Sequence, residues 1–96
     1  MSEQNTEATG LSSLEMLTRI FTICKSRELS KDAKLAYVML AAPNPTGDVN
    51  ICYCDPPDDV KDGLYELARK GLIRLEIDGY EFRSRLYFGH FPCSNT

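Results

Sequence analysis

The sequence predicts an α+β domain, with three main helices and a small antiparallel sheet made of one short strand and a C-terminal β-hairpin. Three observations carry that prediction. Two apolar stretches recur at helical spacing in the first half of the chain. A third stretch, bounded by prolines before it and a glycine after it, has the same period. Two closing segments then alternate residue by residue around Asp78-Gly79.

The chain has 96 residues, enough for one core and no second one. Residues 1–10 are polar and acidic and are expected to form a disordered tail. Residues 11–90 should be the folded domain, and residues 91–96 a C-terminal tail. The start of the chain has neither the basic opening nor the apolar stretch of a secretory signal. No apolar run approaches the roughly 20 residues needed to span a bilayer. These features predict a cytoplasmic protein without membrane contact.

Ser12-Ser13-Leu14-Glu15 fits a capping box. Leu14, Leu17, Ile20, Phe21 and Cys24 follow at helical spacing, which predicts an amphipathic helix over 13–27 with this stripe, Cys24 included, turned to the core. Two roles are open to that helix. It caps the next one, or its stripe pairs with a second copy of the chain in a homodimer. Ser30 is a good N-cap for the second helix, over 31–42. Its residues 33–42 are apolar nearly all round, so it must be covered on several sides and should be the centre of the core. The segment 43–48 contains two prolines and a glycine and should turn the chain.

Residues 49–54 are rich in strand formers. Asp55 offers an N-cap for the third helix, with Pro56 at its first position. Val60, Leu64, Leu67 and Ala68 form that helix's apolar stripe, and Gly71 ends it. Gly63 in its interior costs about 1 kcal/mol relative to alanine, which points to close approach by a neighbouring element. In the hairpin, Ile73, Leu75, Ile77, Phe82, Leu86 and Phe88 share one face, while Arg74, Glu76, Arg83 and Arg85 share the other. A two-residue loop at 78–79 would set Glu76 against Glu81 and Arg74 against Arg83. A four-residue loop at 78–81 sets Glu76 against Arg83, and is the better expectation.

The order helix, helix, strand, helix, hairpin, together with the segments 29–37 (LSKDAKLAY) and 60–73 (VKDGLYELARKGLI), resembles winged helix-turn-helix domains of phage and plasmid regulators and replication proteins. The resemblance covers about residues 29–88. It implies a winged-helix-like fold and a small non-enzymatic regulatory protein that binds double-stranded DNA. Residues 60–73 correspond to the recognition helix running into the first strand of the wing. The side chains that would meet DNA are Lys61, Tyr65, Arg69 and Lys70 on the third helix and Arg74, Arg83 and Arg85 on the wing. The sequence departs from the family between the first strand and the recognition helix. Only residues 52–59 occupy that space, and Pro56-Pro57 would interrupt a helix there.

The charges point elsewhere. The formal net charge is −3. Residues 43–63 carry Lys61 against Asp48, Asp55, Asp58, Asp59 and Asp62, while the segments 11–42 and 64–96 are mildly basic. Carboxylates at the start of a recognition helix would face a dense line of phosphate charge. A second reading is therefore a protein-binding adaptor or phage-type inhibitor. Its acidic residues Asp55, Asp58, Asp59, Asp62 and Glu66 would meet a basic protein surface, in the manner of nucleic-acid charge.

Nothing in the sequence calls for a cofactor. Cys52, Cys54, His90 and Cys93 form a sparse metal-ligand set without paired Cys-x-x-Cys spacing. Zinc, a disulfide and plain thiols are all compatible with it. His90 has no evident nucleophile partner, and the acids are explained as caps and solvated surface, so no catalytic residue is assigned.

Overall fold

The structure, a computed structural model, describes residues 12–44 and 49–87. The 1–10 and 91–96 tails, most of the 43–48 turn, and Phe88, His90 and Cys93 lie outside the described residues. The elements run α1 (Ser13–Lys25), α2 (Lys31–Ala41), β1 (Ile51–Cys54), α3 (Asp58–Arg69), β2 (Ile73–Asp78) and β3 (Glu81–Leu86). The strands form one antiparallel sheet in the order β1-β3-β2, with β3 central. The fold is thus α+β, and its order is consistent with a winged-helix-like arrangement carrying an extra N-terminal helix. Between β1 and α3 lie only residues 55–57, so the scaffolding helix of the resembled family is absent.

Local chemistry sets the helix ends. At α1 the Ser12 hydroxyl accepts from the Glu15 N–H, and the Glu15 carboxylate accepts from the Ser12 N–H, which completes a capping box. Ser30 caps α2 through the Ala33 N–H. At the end of α3 the Gly71 N–H donates to Ala68 and the Leu72 N–H to Leu67. Gly71 has a φ of 76°. This is the Schellman pattern, and it turns the chain directly into β2.

The core gathers on α2, as its apolar circumference requires. Ala33, Ala36, Tyr37, Leu40 and Ala41 are buried between α3 residues Val60, Leu64 and Leu67 and sheet residues Ile73, Phe82 and Leu86. Burial raises the Tyr37 phenol above its ordinary pKa, and the neighbouring Arg19 guanidinium partly offsets this. The Tyr53 hydroxyl donates to the Met39 carbonyl at 3.3 Å and ties β1 to α2.

Four expectations are corrected. The first concerns α1, which buries Met16 and Ile23, with Ile20 partly covered. Leu14, Leu17, Phe21 and Cys24 are exposed. Apolar residues occupy most of this helix's circumference. The stripe that packs is the one beside Arg19, whose Nη1 donates to the Tyr87 carbonyl at 2.7 Å. The second concerns α3, whose N-cap is Pro57 and not Asp55. Pro56 precedes Pro57 and is therefore disfavoured in the helical region, so the helix cannot begin at Pro56. Asp55 instead takes a φ of 50° and donates its N–H to the Tyr80 carbonyl at 2.7 Å.

The third is the hairpin loop, which is Gly79-Tyr80 rather than 78–81, because the ladder closes one pair further at Asp78 and Glu81. Gly79, with a φ of 63°, occupies the first central position of the turn, where a left-handed residue is needed. The expected register holds: Glu76 lies opposite Arg83. Strand β1 is also shorter than expected, beginning at Ile51. Val49 is exposed, and its carbonyl accepts from the Asn44 side chain.

Candidate binding surface

Two surfaces carry the polar residues singled out by the sequence, and the fold keeps them apart. One is the solvent side of α3. Val60, Gly63, Leu64 and Leu67 point inward, which leaves Asp58, Asp62 and Arg69 along the opposite side of the helix and Tyr65 on the flank toward the sheet. The other is the outer face of the sheet. There Cys52 and Cys54 of β1 lie beside Glu81, Arg83 and Arg85 of β3, with Arg74, Glu76 and Asp78 of β2 beyond them.

On α3 the basic residues do not form a stripe. Lys61 is half-buried against the sheet, with its ammonium 5.7 Å from the centre of the Phe82 ring and 3.9 Å from the Asp55 carboxylate. A cation over an aromatic face gains a modest attraction, while the exposed ion pair adds little. Tyr65, one turn on, stands edge-on to the same ring at a centroid distance of 6.0 Å. Lys61 and Tyr65 thus brace the helix against β3. Arg69 and Lys70 are exposed at the other end of the helix.

Among the acids, Asp55, Asp58, Asp59 and Asp62 are all exposed. Asp59 accepts the N–H of Val60 at 2.8 Å. No described cation lies within ion-pair distance of Asp58, Asp59 or Asp62. Glu66 is different. It accepts from the Ser30 hydroxyl at 2.6 Å and from the Ser30 N–H at 3.0 Å, so it braces the start of α2. These bonds hold its carboxyl below the ordinary range, and Lys70 and Arg69 add to the effect. Glu66 therefore has a structural partner already, which sequence reasoning missed because Ser30 lies 36 positions away.

The sheet's outer face carries three arginines, Arg74, Arg83 and Arg85, and three acids, Glu76, Asp78 and Glu81, with Arg83 opposite Glu76 and Asp78 opposite Glu81. Arg83 is engaged: it donates to the Glu81 carboxylate at 2.6 Å. Its guanidinium is raised above the ordinary value, first by Glu81. Arg74 and Arg85 stand directly opposite each other across β2 and β3, both exposed. Neither has an ion pair among the described residues. The tip of the hairpin, where a wing would grip phosphate, carries Asp78, Gly79, Tyr80 and Glu81 and no base.

Cys52 and Cys54 share the outer face of β1, as strand alternation predicts, and both are free thiols. The Cys52 thiol is raised above its ordinary pKa, first by desolvation and then by Cys54 and Glu81. Among the described residues no three His, Cys, Asp or Glu side chains come together in a metal-binding group. No described helix is long and apolar enough to cross a membrane. Comparisons with protein-family models, with curated proteins and with solved structures give no match for this chain.

Proposed function

We propose that this domain is a non-catalytic binding module whose acidic α3 edge docks on a basic protein surface. One observation carries this reading. Asp58, Asp59 and Asp62, in the first turns of α3, are solvent-facing and unneutralised by described cations, with exposed Asp55 just ahead of them. Three unneutralised carboxylates at that end of the helix repel phosphate and attract lysine and arginine, which supports protein contact and favours fast, salt-sensitive association. Such a module would act as an adaptor, or as a small inhibitor presenting the charge of a nucleic acid.

DNA binding is the second reading, and the juxtaposed Arg74 and Arg85 favour it. Two exposed arginines facing each other gain from an anion between them, and phosphate would serve. Against it stand the acidic start of α3, the acidic hairpin tip and the scatter of Lys61, Arg69 and Lys70.

Titration with mixed-sequence duplex DNA from about 50 mM to about 200 mM salt separates the two readings. The protein-contact reading expects no duplex binding even at the lower salt. It also expects the triple variant Asp58→Lys, Asp59→Lys, Asp62→Lys to lose affinity capture of the wild-type chain's cellular partner. Tight duplex binding that weakens steeply with salt, or unchanged capture by the triple variant, would overturn it.

A further inference from the structure

Cys52 and Cys54 are two positions apart on β1, so both side chains leave the same side of the strand. Both are exposed free thiols on the outer face of the sheet, where Arg83 and Glu81 of β3 lie opposite them. Core packing does not use them, because Ile51 and Tyr53 are the β1 residues that turn to the core. Docking through α3 makes no use of them either.

The two sulfurs lie within each other's field. Desolvation first, and then Cys54 and Glu81, hold the Cys52 thiol above its ordinary pKa. Negative neighbours of this kind favour positive charge at the sulfur, whether a proton or a bound cation carries it.

Strand geometry decides between a disulfide and an ion. At roughly 3.4 Å per residue, α-carbons two positions apart on an antiparallel strand are about 6.8 Å from each other. That is the outer limit for a disulfide, whose sulfurs must approach to about 2.05 Å. All four residues of β1 are paired with β3, which holds the strand extended. An ion bonded to each sulfur at about 2.3 Å accepts sulfurs about 3.8–4.6 Å apart, depending on the angle at the ion. The spacing suits a bridging ion.

The donor set narrows the choice of ion. Thiolates are soft ligands and select soft ions over magnesium or calcium. Zinc takes four ligands, and among the described residues no third His, Cys, Asp or Glu side chain joins the pair. Copper(I), a closed-shell monovalent ion, is satisfied by two thiolates.

We propose that Cys52 and Cys54 form a two-thiolate site for a single soft monovalent cation of the copper(I) class. Binding releases both thiol protons to solvent and forms two sulfur–metal bonds, with no electron transferred. The complex carries one negative charge, and Arg83 lies beside it on the neighbouring strand. The site is open to solvent, so an incoming thiol can reach the ion and take it over. Because the outer face of the sheet is separate from the solvent side of α3, the inference does not depend on what α3 binds.

Anaerobic competition for copper(I) against the colorimetric chelator bicinchoninate tests the site. In a Cys24→Ser, Cys93→Ser background the full chain should bind one ion per chain. Adding Cys52→Ser or Cys54→Ser should weaken that binding by about 100-fold or more, since losing one thiolate removes the chelation. Circular dichroism and melting of both variants should be unchanged, because neither side chain lies in the core. X-ray absorption of the loaded chain should show two sulfur neighbours around the metal. Single-thiol variants that bind copper(I) as tightly as their parent would overturn the proposal. So would a wild-type chain whose copper(I) or zinc binding is lost with His90→Ala or Cys93→Ser, because a larger ligand set would then hold the ion.

Discussion

Gly63 of α3 lies directly against the Asp32 carbonyl of α2, and no side chain fits between them. A β-carbon at position 63 would overlap the Asp32 carbonyl oxygen and come within 2.9 Å of the Ala36 β-carbon. The obstacle is backbone, which cannot rotate away as a flexible side chain can. Alanine gains about 1 kcal/mol in helix propensity, whereas overpacking a close helix contact costs about 1–3 kcal/mol. Gly63→Ala should therefore lower the melting temperature, by roughly 4–8 °C per kcal/mol of net loss in a domain of this size. A variant that melts at or above the wild-type temperature would show that the two helices separate cheaply.

The same helix pair is tied at its polar margin by Glu66 and Ser30. The carboxyl of Glu66 is held below its ordinary value of 4.5, first by the Ser30 hydroxyl and then by its N–H. A depressed folded pKa means that the ionised form stabilises the fold. That contribution is fully present above the unfolded value and is lost as pH falls through the folded one. Glu66→Ala should cost at most about 1 kcal/mol at neutral pH, since solvent screens the carboxylate. Urea melts at pH 7 and at pH 3 should show the gap between wild type and variant closing at the lower pH. An undiminished gap at pH 3 would place the effect in packing rather than charge.

What the sequence makes legible follows from the range of the forces involved. The Ser12–Glu15 capping box, the Ser30 cap, the Gly71 stop and the Glu76–Arg83 register are each decided within a few residues or one cross-strand step, and each is found in the structure. The burial of Met16 and Ile23 in place of Leu14 and Phe21 is not local. It depends on the core those residues join, which α2, α3 and the sheet assemble from residues as far along the chain as Leu86. The start of α3 is hidden for another reason, because Asp55-Pro56 looks like a cap and first helical position until Pro57 keeps Pro56 out of the helical region. At the candidate surface the acidic charges of α3 could be read directly. Their neutralisation could not, as Glu66 on Ser30 and Arg83 on Glu81 show.

Ser84 is a buried polar residue in the centre of the sheet. It pairs with Ile51 on one side and Leu75 on the other. It is fully buried, and its hydroxyl has no hydrogen-bond partner among the described residues. A buried hydroxyl without a partner costs about 1–3 kcal/mol in desolvation. Ser84→Ala removes that cost and leaves only a very small void, so it should be neutral or stabilise the fold by about 1 kcal/mol. Thermal and urea midpoints check this, and a clear loss of stability would mean that the hydroxyl has a bonded partner in solution.

Arg74 and Arg85 offer a test that bears on stability and function together. Directly opposed like charges on neighbouring strands destabilise a sheet, and an opposite-charge pair contributes roughly 0.2–1 kcal/mol in favour. Arg74→Glu replaces the repulsion with a pair and should raise the urea midpoint. If the two arginines instead hold phosphate, the same variant should weaken whatever duplex binding the wild type shows at low salt and reduce its salt slope by about 1–2. The protein-contact reading expects higher stability with capture through α3 unchanged, because the outer face of the sheet is not the surface that carries Asp58, Asp59 and Asp62. A variant that gains stability and loses only partner capture would instead move the binding surface from the helix to the sheet.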